Sequence, residues 1–184
     1  MKSFALTVTL LVAACATKPV PGPQDVFFTN LSALCGKAFE GRLVTSDAAD
    51  ADMRARTLRM HVRDCSPTQV RIPFSVGEDR SRTWIVTRTR QGLRLKHDHR
   101  HVDGTPDLRT DYGGDSQAEG TSIRQAFPAD ADSKALFIAQ GIPQSAANIW
   151  ALDLIPNQAF AYELRRPGRA FRAEFDLTRP LPAD

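Results

Sequence analysis

Apolar and polar residues alternate along much of this chain, and that two-residue period constrains the fold more than any other feature of the sequence. It is clearest in the segment FRAEFDL, residues 171–177, where every second residue is apolar. Successive side chains of a β-strand point to opposite faces, so this period is typical of a strand with one buried face. Five other segments alternate in a similar way: 58–62, 70–76, 93–102, 150–154 and 160–164. Segment 84–89 is a further expected strand, because the hairpin signal Arg90-Gln91-Gly92 follows it.

Short strands joined by tight turns predict an all-β, mainly antiparallel fold. Three less regular segments, 39–45, 108–112 and 121–127, bring the expected number of strands to about ten. Consecutive hairpins favour a meander, and a meander of about eight to ten strands protects its edges best by closing into a barrel. Helical spacing of apolar residues predicts a short N-terminal helix within 25–39 and one short later helix within 129–140.

A helix that opens a meander of strands resembles the architecture of the lipocalins and fatty-acid-binding proteins, the calycin class. The resemblance implies a closed antiparallel barrel. The chain departs from the lipocalin GxW signature, because Arg82 stands where the glycine before Trp84 would be. The resemblance therefore concerns architecture alone.

Three segments are similar to uncharacterised secreted proteins and lipoproteins of proteobacteria: RIPFSVGEDRSRTW (71–84), GLRLKHDHRHVDG (92–104) and YGG (112–114). The similarity runs over most of the expected domain. It implies a location in the cell envelope and carries no known activity.

The N-terminus has the features of a bacterial lipoprotein signal. A lysine precedes an apolar run at 4–12, which is too short to span a bilayer comfortably. The run ends in VAAC, residues 12–15, which resembles a lipobox and implies cleavage before Cys15 and acylation of that cysteine. Ala16 in the next position favours the outer membrane, with the domain facing the periplasm. The alternative is an ordinary signal peptide cleaved near this point, which would give a periplasmic or secreted protein.

These features divide the chain into four parts. The expected signal peptide is 1–14, and 15–25 is an extended tether with the three prolines of TKPVPGPQD. Residues 26–179 form one β-barrel-like domain of ordinary size, and 180–184 are a tail.

The chain has three cysteines. If acylation uses Cys15, then Cys35 and Cys65 remain, and in an oxidising compartment such a pair favours a disulfide. The alternatives are two buried free thiols or a reactive pair. Neither cysteine belongs to a CxxC redox motif, which favours the disulfide.

Three of the four histidines lie at alternate positions in the segment KHDHRH. On one continuous strand His97, His99 and His101 would share a face with Leu93 and Leu95, and that face would run from the apolar core to a polar mouth. Strand residues two positions apart are separated by roughly 6.7 Å, so only a neighbouring pair of histidines could bind one zinc or copper ion.

A metal site would need a further ligand, which Asp103, Asp111 or Tyr112 could supply across the Asp103-Gly104 turn. The alternative is that the histidines make ordinary hydrogen bonds. The charged segment GEDRSR, residues 77–82, predicts a hairpin tip that could hold an anion or a partner, or simply form local ion pairs. The cofactor stays open, with zinc or copper as the candidates.

Composition argues against one class of function and leaves three. The net charge is +3 and the arginines are scattered among acids, so no nucleic-acid-binding surface is expected. The sequence has no GxSxG, P-loop or HExxH motif. The favoured hypothesis is a non-enzymatic envelope lipoprotein, held at the membrane by its lipid, that binds a small amphiphilic ligand or a metal. The alternatives are a histidine- or metal-dependent envelope enzyme and a structural module that binds a protein partner the sequence does not identify.

Overall fold

The computed structural model describes residues 20–182 of the chain. The expected signal peptide at 1–14, Cys15 and the start of the tether lie outside the described residues, as do residues 183 and 184. Within the described range, no helix has both the length and the apolar character that a bilayer crossing requires.

The described chain is mostly β-structure with three short α-helices. The strands are β1 (Ala38–Leu43), β2 (Leu58–His61), β3 (Asp64–Cys65), β4 (Gln69–Val76), β5 (Asp79–Thr89), β6 (Gly92–His99), β7 (Tyr112–Asp115), β8 (Arg124–Pro128), β9 (Ile149–Ile155), β10 (Ala159–Arg166) and β11 (Arg169–Asp176). The helices are α1 (Pro23–Ser32), α2 (Ala51–Arg54) and α3 (Ala131–Ala139), and two 3-10 turns span Ala48–Asp50 and Pro143–Ala147.

The strands form one antiparallel sheet in the order β7-β6-β5-β4-β2-β1-β11-β10-β9-β8, with β3 beside β4. The first and last strands meet in the middle of this order, where Gly41 lies opposite Phe175 and Leu43 opposite Ala173. The two edge strands, β7 and β8, come from the middle of the sequence and lie next to each other, so the sheet is nearly closed into a barrel. The all-β meander barrel that the sequence predicts is confirmed.

The two glycines of β7 allow close approach of its neighbours, Gly113 towards β6 and Gly114 towards the end of β8. The Gly113 carbonyl accepts hydrogen bonds from the Asp130 N–H at 2.9 Å and from the Ser133 hydroxyl at 3.0 Å. A Cβ on Gly114 would lie 1.8 Å from the carbonyl oxygen of Pro128, so a larger residue would force the backbones apart. The Asp130 carboxylate also accepts from the Ser133 N–H and caps α3. Hydrogen bonds at the start of α3 therefore hold the two edge strands, β7 and β8, together.

Helix α1 closes one end of the barrel. Its buried side chains are Phe27, Phe28 and Leu31. Arg88 of β5 lies over the Phe28 ring and forms an ion pair with Asp25. The helix begins at Pro23, because proline is well suited to the first helical turn, so it includes the last residues of the segment predicted as a tether.

Apolar side chains fill the barrel above α1. The largest fully buried ones are Trp150, Phe27, Phe39, Phe127, Phe160, Phe175, Leu31, Leu58, Met60, Ile72, Leu93 and Leu95. The predicted disulfide between Cys35 and Cys65 is present, with the two Cα atoms 6.3 Å apart. It joins the turn after α1 to β3.

Three stretches differ from the sequence-based expectation. Strand β5 begins at Asp79, so much of the charged segment 77–82 is paired strand and not a projecting tip. Of the predicted strand 108–112, only Tyr112 is in a strand, as the first residue of the glycine-containing β7. The connection between β1 and β2 carries α2 and a 3-10 turn, which no pattern in the sequence predicts.

Candidate functional site

A cavity of about 180 Å³ lies at the end of the barrel opposite α1. Strand β5 connects the two ends, because its Arg88 contacts α1 and its Arg82 lines the cavity. The lining side chains are Asp50, Met53, Phe74, Arg82, Trp84, His97, His99, Tyr112, Tyr162, Leu164, Arg169 and Phe171. Many rings with a few polar groups between them are the usual lining of a small-molecule site.

Stacked rings form one wall of the cavity. The Trp84 indole stacks with Phe74 at a centroid distance of 4.6 Å and with Tyr162 at 4.4 Å. Phe171 meets the Tyr162 ring edge-on at 6.0 Å. These rings come from two hairpins on different sides of the barrel, β4–β5 and β10–β11. Each such ring contact adds about 0.5–1.5 kcal/mol beyond burial, so the wall is formed before any ligand arrives.

His97 is a buried, neutral hydrogen-bonding group at the cavity. Its side chain is almost fully buried, with Nδ1 3.1 Å from the Tyr112 carbonyl oxygen and Nε2 2.8 Å from the Tyr162 hydroxyl. Because a carbonyl oxygen can only accept, Nδ1 carries the proton and Nε2 accepts from the Tyr162 O–H. Burial lowers the pKa of His97 to about 3, so the imidazole is uncharged near neutral pH.

His99 and Tyr112 form a second polar pair. The Tyr112 hydroxyl lies 3.0 Å from Nε2 of His99, and the Tyr112 ring stacks on His97 with centroids 4.6 Å apart. Burial, assisted by the positive charge of Arg82, holds the pKa of His99 below its usual range. Burial raises the pKa of Tyr112 to about 12. His97, His99 and Tyr112 are therefore polar groups of the cavity lining that carry no charge near neutral pH.

Two arginines bring charge to the cavity. Arg169 donates to both oxygens of Asp50 at 2.6 Å and to Asp47 at 3.1 Å, which ties the β10–β11 hairpin to the β1–β2 connection. Arg82 forms an ion pair with Asp79 at 2.5 Å, and its side chain is 28% exposed. Arg82 therefore meets both the cavity and the solvent.

The predicted row of three histidines is only partly formed. His97 and His99 lie on β6 and line the cavity. The prediction is wrong for His101, because β6 ends at His99 and the His101 N–H bonds to the Thr105 carbonyl oxygen in the following turn. The His101 side chain is exposed. The turn around Asp103-Gly104 thus begins earlier than the alternation suggests.

Of the other predicted metal ligands, only Tyr112 is brought to the histidines, where its hydroxyl contacts His99. Tyr112 lines the cavity, whereas Asp103 and Asp111 are exposed, and the Asp103 carboxylate accepts from the Thr105 N–H. Both ring nitrogens of His97 are already hydrogen-bonded to protein groups. In residues 20–182, no group of three or more His, Cys, Asp or Glu side chains could hold a metal ion. Neither Asp103 nor Asp111 is therefore added to the pair His97 and His99 as a third ligand.

Sequence reasoning missed several lining residues. Arg82 belongs to the charged segment 77–82, for which the sequence predicts a tip that could hold an anion or a partner, but its place in the cavity was not predicted. That place could have been found, since Arg82 stands two positions before Trp84 on one strand and so shares its face. Tyr162 is likewise in phase with the buried Phe160. Asp50 comes from the β1–β2 connection, where no periodicity indicates where a side chain will lie.

The chain has no match among protein-family models, curated proteins or solved structures with which it was compared.

Proposed function

We propose that this protein is a binding module of the bacterial cell envelope and that the cavity at the open end of its barrel takes a small, partly apolar ligand. The single observation that carries the proposal is the lining of that cavity. Stacked rings such as Trp84 and Tyr162 stand beside neutral imidazoles and an arginine. Such a surface can desolvate an apolar body and orient one polar group.

The volume of the cavity indicates the size of the ligand. An apolar cavity of about 150 Å³ accommodates benzene, and pockets for drug-sized molecules span roughly 300–1,000 Å³. At about 180 Å³ this cavity matches one ring or a short chain with a polar head. Long-chain lipids are therefore not the ligands that it fits.

The contacts of the histidines favour binding over the alternative of a histidine-dependent enzyme. A general base is normally oriented by a partner such as a carboxylate. His97 and His99 instead contact the hydroxyls of Tyr162 and Tyr112. A structural module with a filled core would lack the cavity altogether.

A ligand screen on the purified full-length protein tests the proposal. Ring-sized and short-chain compounds of negative, neutral and positive charge would be examined by ligand-observed NMR, and small molecules released from protein purified from its native envelope would be identified by mass spectrometry. We expect at least one compound to bind the wild type and to bind Leu164→Trp weakly or not at all. The reason is that the larger side chain would fill the cavity that Leu164 lines.

Ile149→Trp is the matched control. Ile149 is 46% exposed at the start of β9, so the same indole placed there should leave binding unchanged. The proposal is wrong if nothing in the screen binds, or if Leu164→Trp binds as the wild type does.

The envelope location is a separate part of the proposal. It is supported by the VAAC segment at 12–15 and by the Cys35–Cys65 disulfide, which is typical of an oxidising compartment. Acylation of Cys15 would anchor the domain, with outer-membrane placement facing the periplasm favoured by Ala16. Labelled acyl chains should enter the wild type and not Cys15→Ser, and globomycin should cause the uncleaved precursor to accumulate. If the wild type took up no label, the lipoprotein proposal would be wrong and the alternative of a periplasmic or secreted protein would apply.

A further inference from the structure

Arg82 is placed where it can meet a ligand inside the barrel. In the β4–β5–β6 pairing it lies opposite Phe74 on one side and His99 on the other, and both of these residues also line the cavity. The next inward residue on β5 is Trp84, part of the ring wall. A guanidinium is therefore built into the rim of an aromatic cavity.

The two cavity arginines differ in how far their donors are used. Arg169 donates to Asp47, to both oxygens of Asp50 and to a backbone carbonyl. Within residues 20–182, Arg82 has one hydrogen-bond acceptor, the carboxylate of Asp79. A guanidinium carries five N–H donors in a planar fork, so Arg82 retains donors for a second carboxylate.

The carboxylate that lines the cavity and the carboxylate beside Arg82 both have cationic partners. Both oxygens of Asp50 face Arg169. Although burial opposes it, hydrogen bonds from Ser81 and Arg82 lower the pKa of Asp79 to about 2, so that ion pair is intact at neutral pH. Asp50, the one carboxylate among the described lining residues, is thus already paired, whereas Arg82 keeps free N–H donors beside its ion pair with Asp79. Asp107, whose negative charge acts on His99, is not part of the lining.

Stacking also disfavours a cationic ligand. A cation binds best over the open face of an aromatic ring. The Trp84 indole stacks with both Phe74 and Tyr162, so the best such surface in the cavity is covered by other rings.

We propose that the ligand is a small carboxylic acid bound as its anion, with its apolar body among the rings of Trp84 and Tyr162 and its carboxylate on the free donors of Arg82. This inference rests on the proposed function, because it specifies the ligand of the same cavity. His99, which lies opposite Arg82, provides a second polar group beside the carboxylate. Its Nδ1 has no hydrogen-bond partner in the described part of the chain.

Calorimetric titration of the full-length protein with compounds of one shape and different charge tests the inference. The probes are benzoate, benzamide and benzamidinium, with hexanoate and hexanamide as a flexible pair. We expect at least one carboxylate to bind tenfold or more tightly than its amide, because a charge-assisted hydrogen bond is about twice as strong as a neutral one. Arg82→Gln should abolish this preference, and Arg82→Lys should restore part of it.

The controls separate a lost contact from a lost fold or a lost charge. Arg90→Gln removes the same charge in the exposed turn that follows β5 and should keep the preference of the wild type. Near-ultraviolet circular dichroism reports whether each variant retains its packed rings. If amides bind as tightly as carboxylates, or benzamidinium binds best, the inference is overturned and the proposed function stands. If none of the five probes binds, the inference is overturned, and the outcome of the broader screen decides the proposed function.

Discussion

Replacing His97 with glutamine should remove much of the pH dependence of stability between about pH 6.5 and pH 5. Burial holds the pKa of His97 at about 3 in the folded protein, against a value of 6.5 for an unperturbed histidine. Throughout this range the unfolded chain binds a proton that the folded chain excludes, so acid favours unfolding. The stability associated with neutral His97 is fully present above pH 6.5. It is lost as the pH falls towards the pKa of about 3 that His97 has in the folded protein.

The size of this effect follows from the difference between the two pKa values. Each pH unit below about 6.5 removes roughly 1.4 kcal/mol from the free energy of unfolding. Between about pH 7.5 and pH 4.5, His97 should therefore account for a loss of roughly 2–3 kcal/mol. The pKa of His99 is also lowered by burial, so His99 contributes in the same direction. Carboxylates with lowered pKa values add their own loss below about pH 5, where the unfolded chain begins to protonate them, so the slopes are compared above about pH 5.

Equilibrium urea unfolding, with the disulfide kept oxidised, measures the effect. The buried indoles of Trp84 and Trp150 report the transition by fluorescence. His97→Gln will be less stable at every pH because it loses buried hydrogen bonds, so the quantity compared is the slope of stability against pH. His101→Gln, which alters an exposed side chain, is the control and should keep the slope of the wild type. A His97→Gln slope as steep as that of the wild type, or a flat wild-type profile, would refute the reasoning.

Two further changes test the fold. Replacing Cys35 and Cys65 with alanine should lower the free energy of unfolding by about 3–4 kcal/mol, because the disulfide spans 30 residues of sequence. Reductant should cause a similar loss in the denaturation curve of the wild type, and no change in either experiment would contradict this. Gly114→Ala should cost about 1–3 kcal/mol, since its Cβ would lie 1.8 Å from the Pro128 carbonyl oxygen. An unaltered melting temperature in Gly114→Ala would show that the two edges of the sheet do not approach so closely.

The strands with one buried face could be predicted from sequence because their environment repeats every two residues. Strand β11 is an example, with Phe171, Ala173 and Phe175 all buried. Strand β7 could not be found in this way, because its Gly113 and Gly114 are required by contacts with other backbone segments. Glycine in a strand normally weakens the signal that alternation provides.

The cavity could be predicted only in part. Alternation identifies the inward residues, and it does so for His97 and His99 as well as for Leu93 and Leu95. It does not show that the two leucines lie in filled core while the two histidines border a cavity, because that depends on side chains from other strands. The residue at which β6 ends could not be predicted from alternation either. It depends on the hydrogen bond from the His101 N–H to the Thr105 carbonyl oxygen, which belongs to the following turn.

The position of β1 between β2 and β11 has a consequence for how the protein is made. The sheet consists of two runs of hairpins, β1 to β7 and β8 to β11, and the pairing of β1 with β11 joins them. Leu43 meets Ala173 only when nearly the whole chain is available, and pairing between residues so distant in sequence is slow to form. When the chain becomes available from its N-terminus, the barrel can therefore close only after β11 is present.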